Sequence, residues 1–145
     1  MITRVSRQQI QAVTADRPPG MATGDVDEMA IPSYLHANPL IRWLMWRRHE
    51  AIAAMAGRDR LDSALEFGCG AGVFLPQMHH IARTVYAIDL FPEFARRLDA
   101  KLALGTRFID DVGELEDGCL DLIIAADVLE HIEDLPPWLE LFASK

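Results

Sequence analysis

The sequence predicts an α/β domain in which a parallel sheet carries helices on both faces. Three runs predict it. Ala64-Leu65-Glu66-Phe67 breaks into glycines at 68, 70 and 72 and resumes as Val73-Phe74-Leu75-Pro76-Gln77-Met78, reading as strand, turn and helix start. A β-branched and aromatic run from Thr84 to Leu90 precedes a second helical stretch. Leu120-Asp121-Leu122-Ile123-Ile124-Ala125-Ala126 is near-continuously apolar, as a strand buried on both faces should be. The 145 residues make one domain at most, and 14 basic against 22 acidic side chains give a formal charge of −8. That balance argues against a broad electrostatic footprint for nucleic acid. Cys69 and Cys119 are far apart and show no metal-ligand pattern, so they read as reduced thiols of a cytoplasmic protein, with no metal expected. No run approaches about 18 uncharged apolar residues, so no membrane span is expected, and Arg4 and Arg7 precede no apolar core of a secretory signal.

Residues 1–37 read as an N-terminal arm, partly mobile. Pro18-Pro19-Gly20 breaks it and Thr23–Glu28 is polar and acidic, although residues 1–15 have some helical character. The folded domain is expected to span 38–145. Asn38-Pro39 supplies a capping side chain and a first-turn proline for a helix running from Leu40 to about Ala56 and stopped by Gly57. Ile41, Leu44, Met45, Ile52 and Met55 are spaced to pack on a sheet. Trp43 and Trp46 widen the apolar surface, and Arg42, Arg47, Arg48 and His49 make the segment locally basic. The helix therefore reads either as a cover for the sheet or as a peripheral contact for lipid or another protein.

The next strand, Asp62 to Phe67, leads into the glycine turn and a helix over about 73–82. Such a turn lets backbone approach a ligand at a helix N-terminus. Glu66-Phe67-Gly68-Cys69-Gly70-Ala71-Gly72 resembles the acidic-x-Gly-x-Gly-x-Gly signature of class I S-adenosylmethionine-dependent methyltransferases. The spacing differs from the G-x-G-x-x-G of nicotinamide-binding folds, because Val73 stands where the third glycine would fall. A carboxylate at Glu66 would repel a pyrophosphate but attract the sulfonium and ammonium of S-adenosylmethionine. His79-His80 point in different directions from a helix and read as surface or half-buried residues.

Asp89 ends the second strand 19 residues beyond Gly70, where a doubly wound fold places an acid against a ribose. A solvated strand end or a cap for the helix over 91–103 is the alternative. Arg107-Phe108-Ile109 reads as a short third strand. The resemblance implies that a carboxylate after it meets the adenine amino group; Asp111 with Val112 fits best, Asp110 is one register away, and plain turn geometry is the competing reading. Asp121 to Ile132, through Asp127-Val128-Leu129-Glu130-His131-Ile132, resembles the fourth-strand signature of the small-molecule branch of the family. The resemblance places Asp127, Glu130 and His131 near the methyl group and the acceptor. His131 is a candidate base, since a free imidazole titrates near neutrality, and Asp127 is a second catalytic candidate.

The resemblance thus implies a Rossmann-like sheet of order 3-2-1-4 and a methyl transfer from S-adenosylmethionine to a small-molecule acceptor. It implies cofactor contacts from Glu66, Gly68, Cys69, Gly70, Gly72, Asp89, Leu90, Asp111, Val112 and Asp127. A last helix covers about 135–142, and the family's fifth to seventh strands are not readable. The fourth strand's open edge is expected to mean a fragment of a longer protein, with a dimer across that edge or cover by the N-terminal arm as alternatives. The rival functions are a nicotinamide-dependent oxidoreductase and a non-catalytic cofactor-binding or partner module.

Overall fold

The computed structural model describes residues 2–57 and 59–145. Four parallel strands, β1 (Leu61–Phe67), β2 (Ala82–Ile88), β3 (Arg107–Phe108) and β4 (Leu122–Ile124), lie in the order β3-β2-β1-β4. This is the predicted α/β, Rossmann-like order. Register brings the carboxyl ends together: Glu66 stands opposite Ala87 on β2 and Ile124 on β4, and Phe67 opposite Ile88. The loops after β1, β2 and β4 therefore emerge at one edge, beside the point where the strand order reverses, which is where such sheets bind ligands.

Alternation along β1 separates the two faces. Ala64 packs among Phe74, Leu75, Met78 and Ile81 from the turn and α5 (Leu75–Ile81), with Ala95 of α6 (Glu93–Leu102). Leu65 and Phe67 point the other way, against Trp138, Leu141 and Phe142 of α7 (Leu135–Ser144). Phe67 meets Trp138 and Phe142 at centroid distances of 5.1 and 4.9 Å, the tilted geometry that aromatic quadrupoles favour. β4 is shorter than the apolar run 120–126 predicts. Its approach is diverted to α7, where Gly118 and Leu120 N–H groups donate to the Ser144 and Lys145 carbonyls, each at 2.8 Å.

Residues 7–35, read from sequence as part of an arm, carry three helices: α1 (Arg7–Thr14), α2 (Thr23–Glu28) and α3 (Ile31–Leu35). Ser6 and Gln9 cap α1 reciprocally, with N–H to side-chain oxygen distances of 3.2 and 2.8 Å. Ile10, Val13, Ile31 and Tyr34 share a core with Phe94 and Leu98 of α6. Arg97 closes the far end of α1 by donating to the Val13 and Asp16 carbonyls at 3.1 and 2.7 Å.

α4 (Pro39–Met55) starts as predicted, with Asn38 Oδ1 accepting from Leu40 N–H at 2.9 Å. Its buried face matches the predicted stripe only in part: Ile41, Met45 and Ile52 are half-buried, with Met45 and Ile52 packed on the core. Leu44 and Met55 are 61% and 87% exposed, whereas the residues it buries are Trp46 and His49. Polar pairing is the physical reason: His49 Nε2 and Tyr34 Oη are 2.6 Å apart. The ring also stacks edgewise on Trp46 and Phe74 at 5.3 and 4.9 Å, so a side chain that periodicity counts as polar becomes interior. Trp46 is accordingly unavailable for surface contact, and Trp43 stays half exposed. Among the described residues no helix is long and apolar enough to cross a membrane.

Candidate functional site

A cavity of about 420 Å³ opens at the carboxyl edge of the sheet, within the range of small-molecule sites. Its floor is the glycine turn. Gly68 and Cys69 N–H groups donate to the Ile88 carbonyl at 2.9 and 3.1 Å, and Gly72 N–H to the Cys69 carbonyl at 2.8 Å. Gly70 N–H donates to Asp89 Oδ2 at 2.6 Å, and Phe91 N–H to Asp89 Oδ1 at 3.0 Å. Two glycines are dictated by space as well as by their positive φ. A Cβ on Gly72 would stand 2.9 Å from the Ala95 Cα of α6, and one on Gly68 would stand 2.6 Å from Val128 Cγ2. The turn is thus clamped between α6 and the loop after β4, with Asp89 as its tether. Asp89 retains acceptor capacity, since an ionised carboxylate has about four lone-pair sites and two are used here.

Glu66 lies fully inside, beneath the turn. Burial, with the neighbouring Asp89 charge, pushes its carboxyl up to about 8. Its Oε2 has no hydrogen-bond partner among the described residues. Burial likewise pushes the Cys69 thiol well up, the Glu66 and Asp89 charges adding to it. Burial, then the Arg48 charge, pulls His49 down to about 4, so its ring is neutral near pH 7. Tyr34 is raised, mainly by burial, and Arg48 works against that.

The structure brings together Glu66, Gly68, Cys69, Gly70, Asp89, Leu90, Asp127 and His131 around the cavity. It places Asp111 and Val112 elsewhere. Asp111 is exposed and caps the 3₁₀ turn 112–114, accepting from Gly113 N–H at 2.8 Å, while Val112 is fully buried. Asp110, one register back, lines the cavity instead. Gly72 shapes the floor from behind and is not a lining residue. Asp127, at φ +56°, is ion-paired with Arg48. Glu130 is exposed away from the lining. Sequence reasoning missed Tyr34, Arg48 and His49, which roof the cavity. The locally basic character of α4 was the signal, and it pointed outward rather than in.

Among the described residues six carboxyl side chains line the cavity (Asp25, Glu28, Glu66, Asp89, Asp110, Asp127), against a single arginine or lysine, Arg48. Four of the turn's N–H groups already donate to the protein's own acceptors. Such a wall disfavours a pyrophosphate and favours a cationic nucleoside. The residues present fit S-adenosylmethionine: a buried carboxyl oxygen without a partner faces a floor that side chains on its glycines would distort.

Sheet order and site define the nucleoside-binding class of doubly wound α/β domains. The methyltransferase domain family matches residues 36–145. The chain belongs to that family, one of S-adenosylmethionine-dependent enzymes. Three solved structures share the fold. A methyltransferase from Aquifex aeolicus is 21% identical, with a TM-score of 0.61, and the match covers 86% of this chain and 66% of that one. A protein from Methanococcus maripaludis is 17% identical, with a TM-score of 0.65 and coverages of 89% and 62%. The N-methyltransferase NodS from Bradyrhizobium japonicum, solved with S-adenosyl-L-homocysteine, is 22% identical, with a TM-score of 0.58 and coverages of 83% and 62%. The chain therefore spans less than two thirds of the length of these structures. No curated protein matches it.

Proposed function

We propose that the cavity seats S-adenosylmethionine and that the domain serves methyl transfer to a small-molecule acceptor. The observation that carries this reading is Glu66, a buried carboxyl with an unpartnered oxygen beside the glycine turn of an acid-lined cavity. An isolated buried carboxyl is costly, and a cationic ligand offsets that cost. Glu66 and the 68–72 turn would hold the methionine end. Asp89 would accept from both ribose hydroxyls with its remaining lone pairs. Asp110, rather than Asp111 with Val112, would meet the adenine amino group, and Leu90, 92% exposed at the rim, would cover the base.

When bound, the cofactor supplies an electrophilic sulfonium methyl for direct displacement by an acceptor O, N or C. The protein's own contribution is alignment and exclusion of water, and proximity with orientation supplies much of the acceleration in such a step. Phe67, Val128, Ile132 and Trp138 give the cavity an apolar side, which fits an acceptor with an aliphatic or aromatic body. His131 is the residue of that side able to take up a proton. Asp127 is occupied by Arg48 and is not free for that role in this arrangement.

Calorimetric titration of the 145-residue chain with S-adenosylhomocysteine and with NADH tests the reading. Binding of the thioether alone is expected, and Asp89→Ala should weaken it at least tenfold. Binding of NADH without a response to S-adenosylhomocysteine would transfer the assignment to nicotinamide chemistry.

A further inference from the structure

Leu40, Trp43 and Leu44 belong to the amino-terminal half of α4 and are 64%, 51% and 61% exposed. Their spacing of three and four puts them on one helix face, so more than half of each apolar side chain meets water as one patch. Steps of four residues lead from Leu40 through Leu44 and Arg48 to Ile52, and the last two line the cavity. The patch is therefore the outer continuation of a ridge that forms part of the cavity wall, about 18 Å long at the helical rise. Leu90, on the cavity rim, is another large apolar side chain left in water.

Charge singles out the same stretch. The whole chain carries −8, yet from Met29 to His49 it has no aspartate or glutamate and has Arg42, Arg47 and Arg48. Glu50, the next acid, is paired with Arg4 and Arg47, so the local balance stays positive. Arg47 lies over the Trp43 ring, its guanidinium carbon 6.0 Å from the ring centroid, which sets a cation beside the indole on the exposed face. An exposed indole among leucines, with arginine alongside, is the composition that seats a helix in the headgroup layer of a bilayer. A second copy of the chain laid on this patch would bring arginine against arginine, whereas anionic lipid phosphates complement the charge.

We propose that the amino-terminal half of α4 docks on an anionic lipid bilayer, with Leu40, Trp43 and Leu44 in the headgroup layer and Arg47 against lipid phosphates. The acids of the cavity wall repel the same surface, so contact is made through α4 and not over the mouth. The ridge then leads from the bilayer to the cavity, and the acceptor class it fits is an amphiphile held in the membrane. Only that last step rests on the methyl-transfer reading above.

The test floats the 145-residue chain with vesicles of phosphatidylcholine alone and of phosphatidylcholine mixed with phosphatidylglycerol, at low and at high salt. Flotation with the anionic vesicles is expected, weakened by salt, with a blue shift of tryptophan emission that Trp43→Phe abolishes. The double variant Leu40→Ser/Leu44→Ser should lose at least tenfold in partitioning, and Arg47→Gln about fivefold. None of these side chains lines the cavity, so S-adenosylhomocysteine affinity should change less than twofold. Circular dichroism and urea midpoints control for folding without reference to the cofactor, and Arg47→Gln with the salt series stands if the double variant fails to fold. No flotation of the wild type with anionic vesicles, or undiminished flotation of the folded double variant, would overturn the docking. A wild-type dimer in sedimentation that the double variant dissolves, without vesicle binding, would overturn it in favour of a second copy. Flotation as expected with no S-adenosylhomocysteine binding would support the docking and remove the methyl-transfer reading with its acceptor.

Discussion

Glu66→Gln in the ligand-free protein separates burial of the acid from every other feature of the site. The Glu66 carboxyl titrates near 8 in the folded chain against an ordinary 4.5. Between those values the unfolded chain has released the proton and the folded chain retains it. The contribution of Glu66 to stability is therefore greatest below pH 4.5 and declines as pH rises toward 8. At about 1.36 kcal/mol per pH unit, rounded off near each pKa, the loss from pH 5 to pH 8 is about 3 to 4 kcal/mol. A glutamine has nothing to ionise. Its buried amide adds a cost of about 1–3 kcal/mol that does not vary with pH, so the informative quantity is the slope, not the absolute stability. Urea denaturation at pH 5, 6, 7 and 8 measures it. Wild type and Glu66→Gln should diverge by about 3 to 4 kcal/mol across that range, with the variant gaining at the alkaline end. Parallel profiles, differing by less than about 1 kcal/mol, would refute the burial argument and the reading of Glu66 as an acid awaiting a cation.

The packing yields further expectations. Gly72→Ala should cost about 2 kcal/mol or more, because its Cβ would strike the backbone of α6 at 2.9 Å. Gly118→Ala, at a similar φ with nothing within 4 Å, should cost only the left-handed penalty of about 1–2 kcal/mol; thermal or urea unfolding compares the two. Trp46→Ala should destabilise by about 3–5 kcal/mol, while Trp43→Ala on the outer side of α4 should stay within about 1 kcal/mol. Tyr34→Phe leaves His49 Nε2 without its buried partner and should cost about 1–2 kcal/mol. His49, pulled down to about 4, should remain neutral at pH 5.5 in an NMR titration. The same depression makes folding stability fall as pH drops from 6.5 toward 4, because the unfolded chain takes up its proton first.

The centre of the fold was legible because its signals are local. The run 64–67, the glycine spacing and the acid at 89 lie within one β-turn-α-β unit, and strand alternation with turn chemistry specifies them without reference to distant residues. The Asp89 carboxylate accepts from Gly70 N–H and also from Phe91 N–H at the start of the next helical stretch. The roof was not legible. Tyr34 and His49 are buried and Arg48 is half-buried, and they pair with one another and with Asp127, residues up to 93 positions from Tyr34. The helical pattern of α4 reads Arg48 and His49 as part of a basic side and assigns Leu44 and Met55 inward, and Tyr34 lies in the stretch read as an arm. The acid after β3 that lines the cavity is Asp110 and not Asp111, one position back, for a related reason. β3 has two paired residues, too few to fix a register, and Asp111 is drawn off to cap a 3₁₀ turn, a local bond that competes with any ligand. The helices before residue 36 are short, and their stability comes from the faces of α4 and α6 they cover rather than from propensity.

A crystal structure of the chain grown with S-adenosylhomocysteine tests the central claim most directly. The account predicts the ribose hydroxyls within hydrogen-bonding distance of Asp89, the amino group on Glu66 and the adenine amino group beside Asp110. A thioether bound outside the wall formed by Glu66, Gly68–Ala71 and Asp89, or oriented with its adenine toward Glu66, would contradict it.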